Sequence, residues 1–405
     1  MQGERYTDLS ITLSTFCMKY AGLWTAKNYA EERRRKLGIT YSIYILCFAM
    51  FFEIRDLYFS WGDLSAALYV ACNLSIVALT SFKVFILVLY RSELADLILY
   101  MQEHFWHCEY DEREKAILAS CRKTCIFFTI SVTFIGECAV FSYLVTPIVV
   151  NLGGNGTVRL HPFNMWLDAV LITPYFEIAF FGQILILFHI GSCYFCFDNM
   201  FSIFCLHLAT QFRILQYRFE TMCEISEETV HAYLKFSPTN YAVDVYQKFK
   251  VYVQQHQALI DYSTLLERVF TLITFGQVMF FSVLICLFGY QIVMADSTPE
   301  RRTIFICLTV GSTSLLFMFT YSCHGLMEQS DLLADAMYST MWTRIPMNKY
   351  GKMLRNDLMM VILRARRTCC ITANGFFPVS LETFTTILST AASYFTLLRN
   401  SVEQQ

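Results

Sequence analysis

Apolar residues along this chain gather into seven long stretches, roughly 37–57, 64–90, 117–150, 168–195, 269–294, 303–326 and 377–399. Each is near or above the ~20 residues that an α-helix needs to cross the hydrocarbon of a bilayer. Between them the pattern shifts to a period of three to four. Leu94, Leu97, Ile98, Met101 and Phe105 follow the second stretch. Val245, Phe249, Tyr252, His256, Leu259 and Leu266 precede the fifth, and Tyr350, Leu354, Leu358, Val361 and Ile362 precede the last. That spacing predicts amphipathic helices. Such helices lie on a membrane surface or pack as a bundle; their alternation with spans that run past the membrane favours the bundle. No internal repeat is visible, so a transporter built on inverted repeats gains little support.

The last stretch differs from the other six. On a helical wheel at about 100° per residue, Thr383, Thr386, Thr390, Ser393, Leu397 and Ser401 fall on one stripe, opposite Leu381, Phe384, Leu388, Ala391, Phe395 and Leu398. A bilayer helix that keeps a hydroxyl face turns it toward other helices or toward water. The segment is the candidate wall of a pore or of a binding cavity.

Composition agrees with a membrane class. Of 405 residues, 56% are hydrophobic and 16% charged, against about 25% charged in soluble domains. A net charge of −2 argues against nucleic acid as a partner. The sixteen cysteines lie mostly in apolar spans or at their ends, so no disulfide framework is expected. Cys193-Tyr194-Phe195-Cys196 has the spacing of a zinc or redox pair, but no second pair or histidine repeats that spacing, and two membrane thiols are the simpler reading. Glu4, Arg5 and Asp8 do not fit a signal peptide. Gly153-Gly154-Asn155-Gly156 lacks the Lys-Ser/Thr of a phosphate loop, and neither His-Glu-x-x-His nor Gly-x-Ser-x-Gly occurs. An enzyme is not expected, nor is a metal or cofactor.

Charge gives an orientation. Arg33, Arg34, Arg35 and Lys36 precede the first span, Arg122 and Lys123 open the third, and Arg364, Arg366 and Arg367 precede the last. All fall on one side, which the positive-inside rule makes cytoplasmic. The N-terminus is then inside and the C-terminus outside, and Asn155 of Asn155-Gly156-Thr157 lies outside as a glycosylation acceptor. This is the inverse of a G-protein-coupled receptor, whose Asp-Arg-Tyr and Asn-Pro-x-x-Tyr motifs are also missing.

Span-breaking and polar residues locate a candidate pocket. Gly136, Pro174 and Gly311 interrupt spans three, four and six. Around them stand Tyr69, Cys72 and Asn73 in span two, Val140 and Tyr143 in three, Tyr175, Ile178 and Ala179 in four, and Ser314 in six. An aromatic, apolar cavity with few polar groups suits a small lipophilic or volatile ligand; ordinary helix packing around small residues is the competing reading. Lys83, near the inner end of span two, is expected to snorkel to the cytoplasm. Glu137 and Glu177 face a cavity or serve as structural partners. His207 and His256 read as packing residues on cytoplasmic helix faces.

Three sets of residues resemble the insect odorant receptor family. One is the run Phe376 to Phe384 (Phe-Phe-Pro-Val-Ser-Leu-Glu-Thr-Phe) with Tyr394-Phe395-Thr396-Leu397-Leu398. Another is Tyr321-Ser322-Cys323-His324-Gly325, followed by Ser330, Ala336, Tyr338 and Trp342. The third is Asp198 with His207-Leu208, Gln211-Phe212 and Leu215. The resemblance implies an all-α membrane protein of seven spans with inverted topology, a cytoplasmic helical anchor, and a tetrameric odorant-gated cation channel with a central pore. The last span would line that pore with Thr383, Thr386, Thr390 and Ser393, its gate would fall on Leu397, and Ser401 would stand one turn further, where related co-receptors carry an apolar residue. The odorant pocket would lie among spans two, three, four and six. The short connection between spans four and five and the form Pro378-Val379-Ser380-Leu381-Glu382 resemble the odorant-specific subunit, so a shared co-receptor is the implied partner, with lipid around it, in the plasma membrane of olfactory sensory neurons. Ser393-Tyr394 followed by Phe395 to Arg399 does not complete the ending of the sister gustatory family. The organisation expected is a cytoplasmic segment 1–36, a bundle of six spans over 37–343, an anchor helix in 344–375 and a pore helix over 376–401.

Overall fold

A computed structural model describes residues 9–26, 28–106, 108–153, 160–167, 172–223, 238–293 and 299–403. Within them run α1 (Leu9–Tyr20), α2 (Tyr29–Phe59), α3 (Leu64–Leu89), α4 (Arg91–His104), α5 (Glu112–Gly153), α6 (Tyr175–Thr221), α7 (Pro238–Val293), α8 (Pro299–Ser339), α9 (Lys349–Ala365) and α10 (Leu381–Glu403). Asn155 lies outside the described residues.

Six helices, α2, α3, α5, α6, α7 and α8, are long and apolar enough to cross a membrane. The seventh, α10, falls short of that apolarity because eight of its 23 residues are Ser or Thr. Two expected boundaries move. Of the stretch expected from 168, the described residues become helical at Tyr175, with Pro174 at the cap: proline cannot donate to a preceding turn and here begins a helix instead of breaking one. The stretch expected from 377 becomes helical at Leu381, because Thr372 and Pro378 pair across a turn. Asn374 (φ 51°) and Gly375 (φ 78°) close that turn in the left-handed region.

The long helices have two kinds of surroundings. Over one part of their length they present Phe51, Phe127, Phe134, Phe141, Phe181, Val283 and Val310 outward, as lipid-facing helices do. Over the other part the apolar side chains turn inward. Phe197, Phe201, Phe204, Phe212 and Phe219 of α6 are buried on all sides of that helix. Around them close Leu97, Ile98 and Met101 of α4, Val245, Phe249 and Leu266 of α7, and Leu354 and Leu358 of α9. The amphipathic helices therefore bury their stripes against one another. Arg218 ties this bundle at its edge, pairing with Glu114 of α5 at 2.6 Å and donating to Gln255 of α7 at 2.9 Å.

The segment entering α10 is clamped by the bundle. Thr271 of α7 donates to the Thr372 carbonyl at 3.0 Å and accepts the Asn374 N–H at 2.9 Å. The Thr372 hydroxyl donates to Glu267 of α7 at 2.6 Å. On the other side the Cys369 N–H donates to Ser330 of α8 at 2.9 Å.

Candidate ligand cavity and pore helix

A cavity of ≈ 80 Å³ lies between four spanning helices. Gly136, Ala139, Val140 and Tyr143 of α5 form one wall. Leu187, Ile190, Gly191, Tyr194 and Phe195 of α6 form the second, and Cys307, Leu308, Gly311 and Ser312 of α8 the third, with Ile76 of α3 closing it. At about 10–15 Å³ for one water centre, the space matches a compact molecule rather than a peptide. Its origin is local. A Cβ on Gly136 would collide with the Phe195 ring, and one on Gly191 would meet Val140 at 3.0 Å. Glycines let α5 and α6 approach closely while removing side-chain volume from the space between them.

The surface is almost entirely hydrocarbon, so binding there rests on shape and dispersion. The Tyr143 hydroxyl donates to Asn73 Oδ1 at 2.6 Å, which joins α5 to α3 beside the cavity. A larger cavity of ≈ 320 Å³ lies in the helical bundle, but Arg218, Gln211, Gln254 and Gln255 line it, an unsuitable wall for a lipophile.

The structure brings Gly136, Val140, Tyr143 and Gly311 onto one cavity. Asn73 touches its edge through Tyr143. Tyr69 and Cys72 stand in a neighbouring apolar cluster with Leu284, Phe288 and Phe305, where Tyr69 meets Phe305 edge-on at 5.7 Å. Tyr175, Ile178, Ala179 and Ser314 stand off the cavity lining. Tyr175 and Ile178 are exposed at the start of α6. The wall begins at Leu187, twelve residues on from Tyr175, or about 18 Å along the helix. Pro174, expected to break span four toward its outer half, stands instead at the start of the helix. Glu177 is likewise exposed in the first turn of α6, hydrogen-bonded to Thr173 at 3.1 Å, and Glu137 is not among the lining residues.

Lys83 does not snorkel. It is fully buried, its Nζ 2.7 Å from Asp198 of α6 and 4.8 Å from the centre of the Tyr194 ring. Its stem points to an acid 115 positions away rather than to water. Because Tyr194 also lines the cavity, this ion pair sits directly behind the ligand space. The only local trace of it was Asp198 itself, an acid in an otherwise apolar run.

On α10 the two faces separate. Phe384 meets Phe317 of α8 at 5.6 Å, Phe395 packs against Gly289 of α7, and Ile387 and Ala391 are buried. Thr386, Ser393 and Leu397 are exposed, with Leu397 at 62%, and Thr383 and Thr390 are partly so. Ser401 belongs to the same helix. The hydroxyls of Thr386 and Ser393 donate to the carbonyls of Glu382 and Ser389, each at 2.9 Å.

Spanning helices around an apolar cavity, with a separate hydroxyl-bearing helix docked by one face, define a multi-pass helical membrane protein. Residues 63–392 match the family described as 7tm Odorant receptor, and the chain belongs to that family of receptors. Odorant receptor 13a of Drosophila melanogaster is 27% identical over 300 residues, 70% of this chain and 68% of that protein. Odorant receptor Or2 of Anopheles gambiae is 22% identical over 359 residues, 86% of this chain and 88% of that one. With odorant receptor 10a of Drosophila melanogaster the matched stretch spans 56% of the relative's length. The solved structure of the insect olfactory receptor OR5 from Machilis hrabei in complex with eugenol shares the fold at a TM-score of 0.80 and 14% identity, over 96% of this chain and 97% of that one.

Proposed function

We propose that this chain is an odorant-specific subunit of a ligand-gated, non-selective cation channel. One observation carries the reading: a hydrocarbon-lined cavity among α3, α5, α6 and α8 lies apart from a helix whose hydroxyl stripe the other described residues leave partly to fully exposed. Such a stripe is poorly suited to lipid and well suited to water. Because Thr386 and Ser393 donate their hydrogens back to the helix, oxygen lone pairs remain for a passing cation. Four α10 helices, from this chain and a shared co-receptor, surround the pore, and Leu397 narrows it one turn before Ser401. The N-terminus is cytoplasmic and the C-terminus extracellular, with Asn155 glycosylated outside, in the plasma membrane of olfactory sensory neurons. Residues 37–343 hold the ligand, 344–375 anchor the subunits and 376–401 form the pore.

The family relation and the eugenol complex of OR5 support the ligand class: eugenol is a small molecule of mostly apolar surface, as this cavity requires. Gating is a population shift in which the odorant prefers the open arrangement, and its differential affinity sets the extent. A movement of α7 or α8 reaches the pore through Phe395 against Gly289, Phe384 against Phe317 and the clamp at Glu267 and Thr271. The test is odorant-evoked current in excised patches without nucleotides, from cells expressing this chain with the co-receptor. Current is expected to persist; its loss, with a response retained in whole cells, would show a metabotropic receptor. Leu397→Ser is expected to raise the unliganded current several-fold (about 1 kcal/mol of bias toward the open state). Unchanged gating would remove Leu397 from the pore.

A further inference from the structure

We propose that the thiols of Cys121 and Cys125 and the imidazole of His207 form a buried zinc site joining α5 to α6. The two cysteines stand one turn apart on α5, so both thiols leave the same face. Their sulfurs are 3.9 Å apart. A disulfide needs about 2.05 Å, whereas two thiolates sharing a tetrahedral ion at bonds of about 2.3 Å stand roughly 3.8 Å apart. His207 comes across from α6, and one ligand atom from each of the three residues lies within 4.8 Å of the others. The Leu206 carbonyl, 3.7 Å from Cys121 Sγ, already accepts the Thr210 hydroxyl at 2.7 Å, so the protein supplies three ligands and one bound water would complete the tetrahedron. Exposures of 8%, 1% and 0% for Cys121, Cys125 and His207 keep bulk water out, and Trp106 covers the imidazole edge-on at 6.1 Å.

Charge selects the ion. Two thiolates and a neutral imidazole carry a charge that a divalent cation cancels, while monovalent copper would leave a net negative charge in a dry interior, which is costly. Nitrogen and sulfur donors disfavour magnesium and calcium. Binding releases the two thiol protons to solvent as the zinc–sulfur bonds form. Gly136 follows Cys125 by eleven residues, about 16 Å along α5, so the ion would fix the register of α5 against α6 below the cavity. The pair with the more familiar spacing, Cys193 and Cys196, is built differently: one thiol faces His189 Nε2 at 3.6 Å and the other the Ser14 carbonyl at 3.5 Å.

The test is metal content of the purified full-length chain in detergent, measured by mass spectrometry after dialysis against metal-free buffer. About one zinc per chain is expected, falling at least five-fold in Cys121→Ser/Cys125→Ser and staying unchanged in Cys193→Ser/Cys196→Ser. Cobalt exchanged into the native chain is expected to give a thiolate-to-metal charge-transfer band in the near ultraviolet, a readout that does not depend on any variant folding. Native chain without stoichiometric metal and without the cobalt band would overturn the site. Copper in place of zinc would overturn the charge argument, and zinc retained by the Cys121/Cys125 variant would move the site elsewhere.

Discussion

The spanning and anchor parts of α6 solve opposite packing problems with the same helix. In the spanning part Gly191 faces Gly136 and Gly311 across an open space. In the anchor part Phe201 stacks on Phe319 at 4.7 Å and meets Phe270 at 4.8 Å, with Phe204 and Phe212 filling the remaining volume. At about 24 cal/mol per Å³, leaving ≈ 80 Å³ empty costs roughly 2 kcal/mol, which a ligand filling it would regain. The void is maintained by its neighbours: a close-packed aromatic part lets a few glycines hold a space open without the bundle collapsing into it.

Substitutions at four places test that contrast. The largest effect is expected at the Lys83–Asp198 pair, where the two parts of α6 meet. Asp198→Leu leaves a buried ammonium uncompensated and should destabilise the protein by about 3–5 kcal/mol, read as lost thermal stability in detergent. Lys83→Met added to it should restore most of that loss, and failure of the double variant to recover would mean the pair is not what Asp198 holds. Phe204→Ala in the anchor should cost about 3 kcal/mol and reduce surface delivery, with no change in which odorants activate the channels that remain. Altered ligand preference there would erase the division between the parts.

Gly136→Val is expected to act the other way. Its methyls push the Phe195 ring into the cavity, lowering odorant potency by about tenfold, or 1.4 kcal/mol, while surface delivery stays near wild type. Dose–response curves with unchanged midpoints would place the ligand elsewhere. The smallest effect is expected at His256, buried in the anchor, where burial first and Arg364 second push its pKa down to about 4 from 6.5. The folded state resists the proton that the unfolded chain accepts below 6.5. Anchor stability is therefore full above that pH and falls as pH drops toward 4, by about 1 kcal/mol between pH 7.5 and 5.5. Thermal denaturation against pH should show that slope in the native chain and a shallower one in His256→Gln.

Local pattern carried the helices and much of the anchor. The three-to-four spacing of Leu94, Leu97, Ile98 and Met101, and of Val245, Phe249 and Leu266, is the spacing of side chains now buried. Of the cavity's fourteen lining residues it picked out four, Gly136, Val140, Tyr143 and Gly311, most of which stand out as small or aromatic residues inside spans. The α6 wall was illegible for a physical reason: Leu187, Ile190 and Tyr194 look like any apolar span residues, and only the cavity they share with α5 and α8 distinguishes them. The position of Pro174 misled, since a proline at a helix start and one at a kink read alike in one dimension. Lys83 was missed because snorkelling needs only local geometry, whereas its partner Asp198 is distant in sequence.

The contact between Gly136 and Phe195 also bears on how such a receptor diversifies. A cavity bounded by missing side chains changes size whenever a glycine gains carbon, and it does so without disturbing the aromatic anchor. Selection can explore chemical space by subtraction, with the foldability of the lineage held in a different part of the same helix.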